Sequence, residues 1–204
     1  VNDMMSGACL AIHLSPLMAQ GQIEALRHHA AEPIRDLYVP HLASGDWTAT
    51  MNLTEPQAGS DVGALTTRAE PSGDGTYRIT GQKIYITGGD HDFAENVSHL
   101  VLARLPDGGP GTRGISLFLV PKYIPRDDGT PGAANALRVM GIEHKLGLHA
   151  SPTCVMSYEG ATGWLIGEPH RGMACMFTMM NNARLGVGMQ GIGVADAAYQ
   201  HALA

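Results

Sequence analysis

The chain has 204 residues, a formal net charge of −6, 44% apolar residues and 16% charged residues. Its length allows one medium domain, or one and a half, with a sizeable core. No cluster of basic residues is present to bind nucleic acid, and no apolar run approaches the roughly 20 residues of a membrane-spanning helix, so we expect neither partner.

The first 46 residues are predicted to be helical. Apolar residues at helical spacing indicate a first helix; they are Met5, Cys9, Ile12, Leu14 and Leu17. After an expected break at "QGQ", the stretch "IEALRHHAA" predicts a second short helix. Pro33 is suited to open a third helix, and "SGDW" is typical of the turn that follows it.

Residues 47–170 have the pattern of strands. Four segments combine β-branched and aromatic residues with partial alternation: "TYRITGQKIYITGG", "SHLVLARL", "RGISLFLVPKY" and "HASPTCVMSYEG". Together they predict several antiparallel strands. The Gly- and Pro-rich stretches "PDGGPGTRG" and "PRDDGTPGAAN" between them are predicted to be surface loops.

Residues 171–204 predict one long helix, which makes the fold class α+β. This helix contains four glycines that weaken it, and close contact with another element is the expected compensation. The glycines are Gly186, Gly188, Gly191 and Gly193. The Met-rich, glycine-notched surface of the helix also predicts association through it. Because the chain opens inside a helical pattern without Met and closes without a stop signal, we expect it to be a piece of a longer polypeptide.

Three cysteines, Cys9, Cys154 and Cys175, are odd in number and lie in apolar neighbourhoods. This pattern predicts reduced, buried thiols without a disulfide, in a cytoplasmic protein. The ten histidines match no zinc-binding spacing, so no metal site is predicted. A Rossmann domain for a nicotinamide cofactor is not favoured either, because no GxGxxG follows a strand and opens a helix.

The loop "MNLTEPQAGSDVGAL" is the first candidate binding site. Pro56 restricts the backbone, Gly59 permits close approach to the main chain, and Thr54 and Ser60 supply hydroxyl groups. Free main-chain N–H groups in such a turn bind an anion or a polar heterocycle. The alternative is structural: Ser60 or Asp61 caps the short turn "VGAL" and Thr54 closes a strand.

A second candidate is "QKIYITGG", in which Tyr85 and Thr87 are two residues apart on a predicted strand and therefore share a face. An aromatic ring beside a hydroxyl group can stack on a planar ligand and hydrogen-bond to its edge. The alternative is an ordinary core residue beside a rim residue.

Four segments in order, "LTEPQAGSD", "ITGQKIYITGG", "KLGLHASPTC" and "GMACMFTMMNNARLGVGMQGIG", together resemble the acyl-CoA dehydrogenase family. The resemblance covers nearly the whole chain and is strongest to the branch that contains 3-methylmercaptopropionyl-CoA dehydrogenase. It implies the end of an N-terminal helical domain at 1–46, a middle antiparallel β-barrel domain at 47–170, and the first helix of a C-terminal helical domain at 171–204.

The resemblance also implies the site residues. Residues expected to bind FAD are Met51, Leu53, Thr54, Gly59, Ser60, Tyr85, Ile86 and Thr87. By match, Tyr85 shields one flavin face and the Thr87 hydroxyl reaches flavin N5. Ser60 is also expected to face the acyl-CoA, and Asn181 and Arg184 stand where the family places an Asp and an Arg near the CoA.

The implied reaction is α,β-dehydrogenation of an acyl thioester, with hydride passing to the flavin and electrons to electron-transfer flavoprotein, in a homo-oligomeric full-length protein. The catalytic Glu of the family has no counterpart here: Ala183 stands at one known position, and the other lies past the end of the chain. We therefore expect the chain itself to be inactive. An acyl-CoA oxidase and a non-dehydrogenating, DNA-protecting relative of the same flavin fold remain alternatives.

Overall fold

Four helices and nine strands are present in the computed structural model, which describes all of residues 1–204. The helices are α1 (Asn2–Ala8), α2 (Leu10–His29), α3 (Glu32–Ser44) and α4 (Gly172–Leu203). The strands are β1 (Trp47–Asn52), β2 (Arg68–Pro71), β3 (Tyr77–Thr87), β4 (Asn96–Arg104), β5 (Ile115–Pro121), β6 (Tyr123–Pro125), β7 (Pro131–Ala134), β8 (Leu137–Ile142) and β9 (Thr153–Ile166). The α+β prediction is confirmed.

The N-terminal helices differ from the prediction at two points. Cys9 is extended, with φ −161° and ψ 99°, and separates α1 from α2. It is exposed, so the prediction of a buried thiol is wrong for Cys9 and correct for Cys154 and Cys175. The expected break at "QGQ" is absent, because Gly21 lies inside α2 where it lets α4 approach: a Cβ on Gly21 would be 3.0 Å from the main-chain oxygen of Met179.

Helix α3 forms as predicted. Pro33 lies in its first turn, where its missing N–H costs no helical hydrogen bond. Gly45 ends the helix in the left-handed conformation, with φ 89°, and this turns the chain into β1.

Seven of the strands form one sheet, and most of its pairings are antiparallel. The exceptions involve β4, which pairs parallel with β1 and, through Arg104 and Arg68 alone, with β2. The prediction of antiparallel strands is wrong at these two places, because the segments 53–95 between β1 and β4 and 72–95 between β2 and β4 are long enough to return the chain in the same direction. The pairing path β4-β2-β3-β9-β5 returns to β4, but through that single β2 residue pair, so a closed barrel stays a prediction.

Four short strands, β1, β2, β7 and β8, lie outside the four segments predicted as strands, and β6 overlaps them only at Tyr123. The predicted loop "PRDDGTPGAAN" contains part of a hairpin between β6 and β7, whose turn has Gly129 at φ 82°. Strand β8 pairs with β9, and its sequence "LRVMGI" has apolar residues on both faces, which hides the strand alternation.

Two apolar clusters cover the two faces of β4 and β5. Leu100 and Leu102 face the helices, with Leu17 and Met176 in the same cluster. Val101 and Ala103 face the other way, into a cluster with residues of β3 and β9. None of the four helices combines the length and the apolar character that crossing a lipid bilayer requires.

Candidate functional site

The loop after β1 lies directly against strand β3. The N–H of Ile84 donates to the main-chain oxygen of Thr54 over 2.9 Å. The Nζ of Lys83 donates to the main-chain oxygen of Leu53 over 3.0 Å. The two candidate motifs of the sequence are therefore neighbours in space.

Locally, the loop is a tight turn. The N–H of Glu55 donates to the oxygen of Ala58 over 3.1 Å, and the N–H of Ala58 donates back over 3.0 Å. Pro56 follows Glu55 at the position where its restricted φ favours such a turn. Ala58 is buried, so Gly59 and Ser60 emerge from an anchored base and are themselves exposed.

A buried ion pair joins the loop to β3. Lys83 Nζ lies 2.9 Å from Glu55 Oε1, and the two side chains are 0% and 2% exposed. The same Glu55 oxygen accepts from the N–H and hydroxyl of Thr67, over 3.0 and 2.6 Å. Its other oxygen accepts from the N–H and hydroxyl of Thr66, over 2.7 and 2.9 Å, and from Gln57 Nε2 over 2.7 Å. Both carboxylate oxygens are therefore fully engaged.

The electrostatics of this pair have opposing causes. Burial alone would raise the pKa of Glu55, but the charge of Lys83 and the hydrogen bonds from Thr67, Lys83 and Thr66 together hold that pKa well below its usual range. Burial lowers the pKa of Lys83, and Glu55 opposes the shift. Each charge keeps the other ionised.

A bulge in β3 sets the direction of Tyr85. The register against β9 shifts between Lys83 and Ile86, and Tyr85 has φ +60°. Strict alternation from Ile79 through Lys83 would put Tyr85 on the buried face; the bulge instead turns Ile86 inward, at 2% exposure, and leaves Tyr85 61% exposed. The irregularity lies between Lys83 and Ile86, and Tyr85 and Thr87 flank the inward-facing Ile86.

Several hydrogen-bond donors around this junction are free. The main-chain N–H groups of Thr54, Gly59 and Ser60 bond to nothing within the chain, and neither do the hydroxyls of Thr54, Ser60 and Thr87. A Cβ built on Gly59 would meet no atom within 4 Å, so the main chain is accessible there. Donors of this kind suit the oxygen and nitrogen acceptors of a flavin edge and the oxygens of a pyrophosphate. The residues present therefore fit FAD.

The remaining predicted flavin residues are more buried. Met51 and Leu53 are partly buried and pack against the helix-side cluster. The Ile86 side chain lies in the other cluster, so only its main chain can face a ligand.

Behind Met51 and Leu53, a buried polar chain supports β1. The Tyr158 hydroxyl donates to Asn52 Oδ1 over 2.9 Å, and Asn52 Nδ2 donates to the Thr50 hydroxyl over 2.7 Å. Thr50 Oγ1 lies 2.6 Å from His99 Nδ1. The other ring nitrogen of His99, Nε2, is buried and has no partner in the chain.

An apolar cavity of 580 Å³ adjoins the end of β3. It lies between α2, the end of α3, the start of β1 and the turn after β3, and Trp47, His91 and Pro152 are among its lining residues. Thr87 is the only predicted site residue on its wall.

Asn181 and Arg184 lie together on the exposed face of α4. Arg184 Nη1 donates to Asn181 Oδ1 over 2.7 Å, and the guanidinium lies 5.4 Å from the centre of the Phe177 ring. No hydrogen bond or ion pair links either residue to the loop after β1. Ala183 is on the opposite, buried face, in the helix-side cluster.

Comparison with known proteins agrees with this architecture. A family profile described as "Acyl-CoA dehydrogenase, middle domain" matches residues 50–161. The chain belongs to the acyl-CoA dehydrogenase family. This confirms the family resemblance read from the sequence motifs.

The relatives include a 3-methylmercaptopropionyl-CoA dehydrogenase, the protein named for the expected branch. A 3-methylmercaptopropionyl-CoA dehydrogenase of Ruegeria pomeroyi is 48% identical over 98% of the chain and 34% of its own length. A butyryl-CoA dehydrogenase of Syntrophomonas wolfei is 44% identical over the same shares. The structure of glutaryl-CoA dehydrogenase in complex with glutaryl-CoA aligns with a TM-score of 0.80 at 26% identity, covering 100% of this chain and 48% of that one. The chain thus spans about a third of the length of these curated relatives.

Glu55 and Lys83 were not among the residues predicted from the sequence, although a signal for them exists. In β3, Lys83 is four residues after Ile79 and therefore points to the same, buried face of the strand. A lysine on a buried phase requires a carboxylate nearby, and Glu55 is the acid inside the family's loop motif. The fully buried Asn52, His99 and Tyr158 carried no comparable sequence signal.

Proposed function

We propose that the chain is the FAD- and acyl-CoA-binding portion of an acyl-CoA dehydrogenase, acting in α,β-dehydrogenation of an acyl thioester. The observation that carries this proposal is the junction of the loop after β1 with the β3 bulge, where free donors lie beside an outward-facing aromatic ring. The match of the family profile to residues 50–161 supports it.

In this proposal each residue at the junction has a defined task. The ring of Tyr85 covers one face of the isoalloxazine. The hydroxyls of Thr54 and Thr87 donate to its polar edge, and the main-chain N–H groups of Gly59 and Ser60 bind the pyrophosphate. Bound FAD would supply the acceptor for the β-hydrogen of the acyl thioester.

Met51, Leu53 and Ile86 contribute differently, because their side chains pack against the core. They form the floor of the flavin site and exclude water from it. Ile86 contributes through its main chain.

Acyl-CoA binding is assigned to Ser60 from the barrel side and to Asn181 and Arg184 from α4. The Arg184 guanidinium, oriented by Asn181, is suited to a phosphate of CoA. The glutaryl-CoA complex of the structural relative supports an acyl-CoA ligand. Electron-transfer flavoprotein as acceptor, homo-oligomerisation, a cytoplasmic location and the three-domain division at residues 46 and 170 remain predictions within the same proposal.

The test is FAD binding to the purified protein, followed by quenching of flavin fluorescence. We expect Tyr85→Ala to weaken FAD binding about fivefold, because loss of stacking on an exposed aromatic ring costs on the order of 1 kcal/mol. Tyr199→Ala is the matched control, since Tyr199 is 60% exposed, close to the 61% of Tyr85, but lies on α4. Equal affinities for the two variants, or no FAD binding by the unsubstituted protein, would contradict the proposal.

A further inference from the structure

The Glu55–Lys83 pair ties together three segments that are distant along the chain. Lys83 belongs to β3, Glu55 to the loop after β1, and their common partners Thr66 and Thr67 to the segment before β2. Lys83 also donates to the Leu53 oxygen and immediately precedes the bulge that carries Tyr85.

The stability of the fold does not by itself account for this arrangement. Two charges are removed from water, and their attraction repays that cost only when every remaining acceptor and donor is satisfied. Apolar side chains of the same volume often stabilise a core equally well. The pair must therefore be considered for what it positions.

Its position controls the geometry between the two candidate motifs. The consecutive main-chain oxygens of Leu53 and Thr54 are held by consecutive residues of β3, Lys83 and Ile84, over 3.0 and 2.9 Å. Only one of these two bonds comes from the main chain of β3; the other depends on the Lys83 ammonium group and therefore on its counter-ion Glu55. Without the pair, the Ile84 bond is the one hydrogen bond that still joins the loop to β3.

We propose that Glu55 and Lys83 are positioning residues of the flavin site: their ion pair sets the spacing between Thr54 and the Tyr85 ring without touching the cofactor. This inference rests on the proposed function. It assigns a role in cofactor binding to two residues that lie wholly behind the binding surface.

The decisive variant is the double substitution Glu55→Gln with Lys83→Met. It keeps side-chain length at both positions and leaves no unpaired buried charge, whereas Glu55→Gln alone strands the Lys83 ammonium. We expect the double variant to stay folded but to unfold at a somewhat lower urea concentration than the parent protein, because the introduced amide turns its NH₂ group towards the N–H of Thr66 or Thr67. FAD affinity should fall about tenfold, the equivalent of one well-placed hydrogen bond.

A second readout does not depend on FAD. Hydrogen exchange at the Ile84 amide, which donates to Thr54, should accelerate in the double variant while amides in the β4–β5 ladder keep their protection. Thr66→Val is a milder variant that removes one hydroxyl donor to Glu55 and should weaken FAD binding about twofold to threefold without unfolding the protein.

The outcomes separate the two proposals. If the parent protein binds FAD and the double variant binds it equally well with unchanged Ile84 exchange, the positioning role is overturned and the proposed function stands. If FAD affinity falls only in proportion to a general loss of protection across the sheet, the pair is structural and the inference is also wrong. If the parent protein does not bind FAD, the proposed function itself fails.

Discussion

The buried ring of His99 makes the stability of this protein depend on pH. Burial lowers the pKa of His99 to about 3, against an ordinary value near 6.5. As the pH falls below 6.5 the unfolded chain takes up a proton at this ring, whereas the folded protein does not until about pH 3. The contribution of a neutral His99 to stability is therefore complete above pH 6.5 and is lost as the pH falls from 6.5 towards 3.

We expect His99 to lower the free energy of unfolding by about 2 kcal/mol between pH 7 and pH 5. Urea denaturation at a series of pH values measures this slope. His99→Asn is the control, because its amide group can hydrogen-bond to the Thr50 hydroxyl in place of Nδ1 without titrating. Burial also lowers the pKa values of His13, His29 and His91. These three residues therefore lower the free energy of unfolding at acidic pH in the parent protein and in the His99→Asn variant alike. Parallel pH slopes for the two proteins would show that His99 does not contribute.

Residue-level prediction succeeded where a side chain follows the regular pattern of its element and failed where the backbone departs from it. The exposure of Gly59 and Ser60 is expected of a small polar loop. The outward direction of Tyr85 depends on a bulge that a period of two cannot reveal. The family resemblance nevertheless selected Tyr85, because a motif match needs no backbone geometry.

At the scale of elements, the glycines of α4 fall into two groups. A Cβ on Gly193 would lie 2.5 Å from the main-chain oxygen of Asp3 and 2.9 Å from the Ser6 side chain, and one on Gly186 would overlap the Leu17 side chain. A Cβ on Gly188 or Gly191 would meet nothing within 4 Å. The expectation of close contact is confirmed for Gly186 and Gly193 and is wrong for Gly188 and Gly191.

This division predicts opposite effects of alanine on one helix. Gly188→Ala should raise the free energy of unfolding by about 0.5–1 kcal/mol, because alanine is the better helix former and space is available. Gly193→Ala should lower it by about 1–3 kcal/mol, because α1 must move away from α4. Thermal or urea denaturation of the two variants provides the measurement, with each serving as the control for the other. A stabilising Gly193→Ala would refute the close packing of α1 on α4.

The helices and long strands were predictable because their apolar patterns persist over many residues. The continuity of α2 through Gly21 was not, since a glycine that admits a neighbouring helix looks the same in sequence as one that ends a helix. The parallel pairing of β1 with β4 was equally hidden, because strand direction depends on a crossover and not on the strand's own residues.

For the whole molecule, the proposed function implies that this chain binds FAD and acyl-CoA but does not supply the base that removes the α-proton. Ala183, which the family resemblance predicts to stand where a minority of members carry the base, has only a methyl side chain and faces the core. The carboxylate of Glu55, although close to the proposed flavin site, has both oxygens engaged by five donor groups and the Lys83 ammonium. Neither residue can remove an α-proton.

We therefore expect the 204-residue chain, loaded with FAD, to show no turnover of acyl-CoA with an artificial electron acceptor. Acceptor reduction followed by absorbance is the measurement, and free FAD with the same substrate sets the background. Positioned bases typically contribute about 100- to 10,000-fold in rate, so a rate typical of the family would reveal a base that Ala183 and Glu55 do not account for.

The order of helices and strands could be predicted from the sequence more fully than the geometry of the candidate site. The succession of helices, sheet and long helix follows from periodicity, and the family motifs located the loop and the strand that meet. The contact between these two motifs, through Leu53 and Thr54, joins residues 30 positions apart and could be inferred only by analogy.

The buried Glu55–Lys83 salt bridge also limits which substitutions can accumulate at these two positions during evolution. A single replacement of Glu55 or Lys83 by an uncharged residue leaves a lone charge enclosed by protein, so a stepwise route to an uncharged pair passes through an intermediate that is less stable than either end point. The two codons are thereby coupled, while the exposed neighbours Pro56 and Gln82 are free of this constraint.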